Sequence, residues 1–125
     1  MTGNEYAEAA MRTNDGLHET RLLMAIDKNR YFVDIPQLLN GCLGLAGEVG
    51  EFVDMVKKWV FHQKFDSSEH MKKEIGDVMW YVALICHAMG WSLDEIMQMN
   101  VEKLQARYPE GFDVEKSAHR KKGDV

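Results

Sequence analysis

Residues 44–59 read GLAGEVGEFVDMVKKW, and in this stretch glycines interrupt an apolar pattern that has the period of an α-helix. A glycine inside a helix costs about 1 kcal/mol relative to alanine, so a sequence selected for helix formation alone would avoid it. Three glycines share one side of the predicted helix with two glutamates: Gly41, Gly44, Gly47, Glu48 and Glu51. Since glycine has no side chain, a second backbone or a ligand can approach this side closely. The stretch therefore predicts a helix with a contact surface beside its two carboxylates.

The rest of the chain has few helix-breaking residues, which is typical of an all-α protein. Its 125 residues include only two prolines, and few turn clusters lie between them. Caps and apolar periodicity predict four helices, at about residues 4–28 (with or without a break at 14–16), 36–61, 67 or 68 to 89, and 92–108. Helices joined by short loops predict a four- to five-helix bundle. We expect one helical domain over residues 1–112, in which the first 30 residues are the least certain, and a polar tail over 113–125.

The third predicted helix, KKEIGDVMWYVALICHAMG, carries a second pair of carboxylates. From residue 75 to 89 it is apolar on nearly all sides, which predicts burial, and Asp77 lies within this part. Glu74 precedes Asp77 by three residues on the same face, and Tyr81 follows one turn later. An ionised carboxylate is costly to bury unless a cation meets it. Asp77 therefore predicts a positively charged partner.

The two carboxylate pairs have the same spacing, Glu48-x-x-Glu51 and Glu74-x-x-Asp77. If the two helices pack antiparallel, the four carboxylates converge, and divalent cations would relieve their repulsion. Ligation by oxygen alone favours Mg²⁺, with Mn²⁺ as a substitute, since no cysteine or histidine joins the set at ligand spacing. One such pair by itself is typical of a solvated helix face. Two pairs, one beside glycines and one in an apolar helix, indicate a metal site instead.

The fourth predicted helix adds a polar strip. Asn100, Lys103 and Arg107 lie at i, i+3 and i+7 on one face. Taken alone, this strip is typical of a solvated surface. Beside an acidic metal cluster, an amide, an ammonium and a guanidinium would suit phosphate oxygens, and Lys58 on the stripe of Glu51 would join them.

Composition excludes several function classes. Twenty acidic residues against 15 basic ones give a net charge of -5, and no long basic run is present, which argues against a nucleic-acid polymer as partner. No stretch approaches the ~20 apolar residues of a membrane span. Cys42 and Cys86 lie in apolar contexts without metal-like spacing, and residues 1–10 lack the apolar core of a signal peptide. We expect a soluble, reduced, cytoplasmic protein.

The segments GLAGEVGE, KKEIGDVMWY and NVEKLQARYPEGF, taken together, resemble the MazG-like family of all-α nucleoside triphosphate pyrophosphohydrolases over about Leu38–Phe112. The resemblance implies a homodimer or a homotetramer whose active sites are lined by helices of more than one subunit. It also implies roles for particular residues. The magnesium ligands would be Glu48, Glu51, Glu74 and Asp77, and the phosphate contacts would be Asn100, Lys103 and Arg107.

The expected activity is magnesium-dependent hydrolysis of a (deoxy)nucleoside triphosphate to the monophosphate and pyrophosphate, in nucleotide-pool control or house-cleaning. Water would attack the α-phosphorus, activated by metal and by one of the glutamates. Tyr81 fits a core tyrosine and a nucleotide contact about equally well. Two alternatives stay open: a dimeric dUTP diphosphatase-like enzyme and a non-catalytic helical dimerisation module. A di-iron carboxylate bundle is disfavoured, because neither Glu48 nor Glu74 is followed three residues later by histidine.

Overall fold

The computed structural model describes residues 1–120 and 123–125. This part of the chain is all-α, as the sequence predicts, and contains no β-strand. Six helices follow one another: α1 (Gly3–Met11), α2 (His18–Asn29), α3 (Ile35–His62), α4 (Ser68–Met89), α5 (Leu93–Arg107) and α6 (Val114–Ala118).

Side-chain caps mark the starts of the three longest helices. The predicted cap Ser67 accepts from a backbone N–H of the first turn of α4, and Asp34, which the sequence did not indicate, caps α3 by accepting from the backbone N–H of Gln37. Ser92 does so for α5. The N-terminal helix is broken in the predicted region, where Gly16 has a φ of 70° that favours glycine. Local signals therefore account for where each of these helices starts.

Helices α3 and α4 form an antiparallel hairpin, which is the main packing contact of the chain. Glycines of α3 allow the close approach: a Cβ added at Gly41 would meet Ile85, and one added at Gly44 would overlap the ring of Tyr81. At Gly47 an added Cβ would meet no atom of the described chain within 4 Å. Two of the three predicted contact glycines thus receive α4, and the third borders open space.

Little of the single chain is buried. Among the described residues only Gly41, Cys86 and Ala88 are buried, and no extensive contact joins α5 to another helix. The predicted burial of residues 75–89 is therefore wrong for one chain: Met79 is 64% exposed and Trp80 58% exposed. The physical reason is that α3 covers α4 on one side, and no described helix covers the opposite side.

The C-terminal segment is tied to α5. The guanidinium of Arg107 donates two hydrogen bonds to the carboxylate of Asp124, at 2.7 and 2.6 Å. The short helix α6 lies between these two residues in the chain. In the described part of the chain, no helix is both long enough and apolar enough to cross a membrane.

Candidate metal centre

Three of the four predicted ligands meet where α3 crosses α4. Glu48 comes from α3, and Glu74 and Asp77 come from α4. One carboxylate oxygen of each lies within 4.8 Å of the others. Because α4 presents residues i and i+3 on one face and the hairpin is antiparallel, these side chains converge as the spacing predicts. We call these three residues the carboxylate cluster.

The cluster is electrostatically unbalanced. Glu48 Oε2 and Glu74 Oε2 are buried, and neither has a hydrogen-bond partner. Burial raises the pKa of Glu48 above its ordinary value, and the neighbouring carboxylates of Glu74, Glu51 and Asp77 raise it further. Buried acceptors without donors are costly, and a divalent cation would supply what they lack. The residues present therefore fit a hard cation with oxygen ligands.

Glu51, the fourth predicted ligand, lies beside the cluster. It lines a cavity of about 410 Å³ together with Glu74 and Lys58. The ammonium of Lys58 is bound to Asp54, with Nζ and Oδ2 2.7 Å apart. The cavity thus places the ammonium of Lys58 near Glu51 and the cluster residue Glu74. To bind a phosphate oxygen, Lys58 would have to release Asp54.

On the other side of the cluster, Glu48 and Asp77 line a cavity of about 360 Å³ with Trp80 and Tyr81. The Tyr81 ring packs over Gly44 and meets Trp80 edge-on, with ring centroids 5.0 Å apart. Tyr81 therefore combines the two interpretations of the sequence: it packs between α3 and α4, and it also borders a cavity at the carboxylates.

The polar strip of α5 lies elsewhere in the chain. Lys103 and Arg107 line a separate cavity of about 570 Å³ with residues of the C-terminal segment. The two cavities at the carboxylates contain no residue of α5. Asn100 is exposed on α5. Asp124 raises the pKa of Arg107, so this guanidinium stays charged. One chain thus carries the acidic and the cationic residues on separate surfaces.

His70 is a neighbour of the cluster that the sequence reasoning missed. Its Nε2 lies 3.1 Å from Glu74 Oε1, and its Nδ1 lies 2.8 Å from Asp66 Oδ2. The hydrogen bond with Asp66, more than that with Glu74, raises the pKa of His70. The signal available in the sequence was the i, i+4 spacing from His70 to Glu74, which places both side chains on one helix face.

Comparison with known proteins agrees with this site. A family model described as the MazG nucleotide pyrophosphohydrolase domain matches residues 38–112 and so includes Glu48, Glu51, Glu74 and Asp77. A relative, the Gene 37 protein of Mycobacterium phage L5, is 36% identical over 74 residues. That match covers 55% of this chain and 64% of the phage protein, which is less than two thirds of its length. No solved structure matches the chain.

Proposed function

The chain belongs to the MazG nucleotide pyrophosphohydrolase family, and on that premise we propose that it hydrolyses (deoxy)nucleoside triphosphates to monophosphates and pyrophosphate. The proposed cofactor is Mg²⁺, with Mn²⁺ as a substitute, and the proposed setting is the nucleotide pool of the cytoplasm. The observation that carries the proposal is the carboxylate cluster with its two buried, unpartnered oxygens.

Glu48, Glu74 and Asp77 would hold the metal, with Glu51 available from the neighbouring cavity. A bound divalent cation supplies charge stabilisation at the phosphates and lowers the pKa of water. Glu51 is exposed, so as a general base it could accept a proton from the attacking water and then release it to solvent. It and Glu48 remain the two candidates on α3 for the general base.

The remaining predicted contacts divide between two surfaces. Lys58 and Tyr81 border the cavities at the cluster, where they would meet the phosphates and the sugar or base of the substrate. Asn100, Lys103 and Arg107 lie on α5, away from those cavities in the same chain. We propose that they complete the site of another subunit, where their donors would meet phosphate oxygens.

The surface of the chain supports such an assembly. Its solvent-accessible area is 10441 Å², whereas a compact folded monomer of 14.4 kDa exposes about 6,800 Å². The chain exposes about one and a half times the expected area, and apolar side chains such as Val53 (57% exposed) and Trp80 (58%) contribute to it. Obligate homodimer interfaces bury about 2,000 to more than 5,000 Å² summed over both chains. The excess here is about 3,600 Å² per chain, so covering it takes an interface at or above the upper end of that range, or more than one interface. A homodimer or homotetramer would cover it, and light scattering measures which forms.

The activity is tested with a panel of ribo- and deoxyribonucleoside triphosphates, with Mg²⁺ or Mn²⁺, and with the products separated by chromatography. We expect monophosphate and pyrophosphate in equal amounts, and we expect Asp77→Asn to reduce the rate to background. Glu69→Gln is the matched control, because Glu69 is an exposed carboxylate of α4 that pairs with Lys73. Equal rates for wild type and Asp77→Asn, or release of inorganic phosphate instead of pyrophosphate, would contradict the proposal.

A further inference from the structure

We infer that His70 is a positioning residue, which holds the carboxylate of Glu74 in the geometry that the metal site needs. The inference rests on the proposed function, because it takes the carboxylate cluster to be that site. It adds to the site a residue that lines the cavity beside the cluster and acts on the metal site through its hydrogen bond with Glu74.

The contacts of the His70 ring are complete on both sides. Nε2 faces Glu74 Oε1 at 3.1 Å, and Nδ1 faces Asp66 Oδ2 at 2.8 Å. Both carboxylates lie four residues from His70: Glu74 follows it by one turn of α4, and Asp66 precedes it in the loop before the helix. A ring held at both nitrogens cannot turn without losing a charge-assisted hydrogen bond, so its position is fixed.

The two oxygens of Glu74 have different environments. Oε1 accepts from His70, whereas Oε2 is buried without a hydrogen-bond partner. The side chain of Glu74 is 13% exposed, against 48% for His70 and 51% for Asp66. This arrangement is typical of a ligating carboxylate: an outer donor orients one oxygen and leaves the other for the ion.

The base of this chain of contacts is fixed by local structure. The side chain of Ser67 accepts from the backbone N–H of His70 at 3.0 Å, which sets the first turn of α4. Phe65, in the loop before it, packs against Trp59 of α3 with ring centroids 4.9 Å apart. Asp66 therefore lies between the Phe65 contact and the Ser67 cap, which fix its position. His70 binds Asp66 with one nitrogen and Glu74 with the other, so a fixed Asp66 also fixes the orientation of Glu74.

Two amide substitutions separate the two contacts of the ring. The amide nitrogen of glutamine lies about where Nε2 of histidine lies, and that of asparagine lies about where Nδ1 lies. His70→Gln therefore keeps a donor for Glu74, and His70→Asn keeps only the donor for Asp66. His70→Ala keeps neither.

The measurement is the affinity of the full-length, metal-free protein for Mn²⁺ alone, by isothermal titration calorimetry without nucleotide. We expect His70→Asn and His70→Ala to bind Mn²⁺ about 10- to 100-fold more weakly than wild type, the range seen when outer partners of metal ligands are removed. We expect the Mn²⁺ affinity of His70→Gln to stay within about 3-fold of wild type, because this variant keeps a side-chain N–H donor for Glu74. Glu69→Gln is the control on the same helix and should not change the affinity.

Unchanged affinity in His70→Asn would overturn the positioning role and would leave the proposed function intact. An equal loss in His70→Gln and His70→Asn would also overturn it, because the contact with Glu74 would then not be the one that matters. If wild type itself bound no Mn²⁺, the proposed metal site would fail, and the positioning role with it. Circular dichroism melts of each variant identify any loss that comes from unfolding, and the exposed position of His70 leads us to expect melts close to wild type.

Discussion

Gly44→Ala tests the close approach of α3 and α4. A Cβ at this position would overlap the ring of Tyr81, and the ring is confined by its edge contact with Trp80. The overlap falls on an aromatic ring rather than on the end of a flexible side chain, so either the ring or one of the helices has to move. Two glycines of α3 serve as matched controls, since a Cβ at Gly47 or Gly50 would meet no atom of the described chain within 4 Å.

Two opposing terms set the size of the effect. Replacing a helical glycine by alanine gains about 1 kcal/mol of helix propensity. Overfilling a packed contact costs about 1–3 kcal/mol. Gly44→Ala should therefore lower the free energy of unfolding by about 0–2 kcal/mol, whereas Gly47→Ala and Gly50→Ala should raise it by up to about 1 kcal/mol. The expected difference between the test variant and its controls is about 1–3 kcal/mol.

Urea unfolding of the metal-free proteins, at one fixed protein concentration, measures these values. The affinity for Mn²⁺ gives a second measurement, because Glu48 lies one turn beyond Gly44 and would move with the backbone. If Gly44→Ala were as stable as Gly47→Ala, the close packing of Tyr81 on α3 would be refuted.

Three further predictions concern single charges. Glu48→Gln should stabilise the metal-free protein at neutral pH. Because the pKa of Glu48 is raised in the folded state, the folded protein binds this proton more tightly than the unfolded chain, so wild-type stability falls as pH rises above 4.5 through the folded-state pKa. Thermal melts in chelator at a series of pH values should show this fall in wild type and not in the variant. Lys103→Ala should reduce kcat/KM on a triphosphate about 10- to 100-fold, the value of a hydrogen bond to a charged group, with Mn²⁺ affinity unchanged; full activity would show that α5 does not line a site. Asp124→Asn removes the negative charge that pairs with Arg107 and so loosens the contact between the C-terminal segment and α5. Trypsin should then cleave after Arg120 faster than in wild type, and an unchanged cleavage rate would argue against the contact.

The sequence predicts the helices well because their signals are local. Asp34, Ser67 and Ser92 each cap the helix that follows, and a cap depends only on residues within one turn. The cluster is predictable for a related reason. Helical spacing brings Glu74 and Asp77 to one face, and an antiparallel partner then needs only the right register to add Glu48.

What the sequence does not predict depends on contacts between distant residues. Nothing near Gly44 in the chain indicates that Tyr81, 37 residues later, packs against it. The exposure of Trp80 is not predictable for the same reason, since the apolar pattern of α4 indicates that the helix needs covering but not how much of it the chain itself covers. Whether Glu51 joins the cluster or lies beside it depends on the register between α3 and α4, which no local signal in the sequence sets.

The scarcity of buried residues has a consequence for folding kinetics. When a chain hides so little apolar surface by itself, the steepness of its denaturant transition and its heat-capacity change report mainly on surface hidden by association. In the proposed assembly, the rate-limiting step of refolding would then be an encounter between chains. Refolding after dilution from urea should be a second-order process whose half-time shortens as protein concentration rises, and the denaturation midpoint should rise with concentration by mass action.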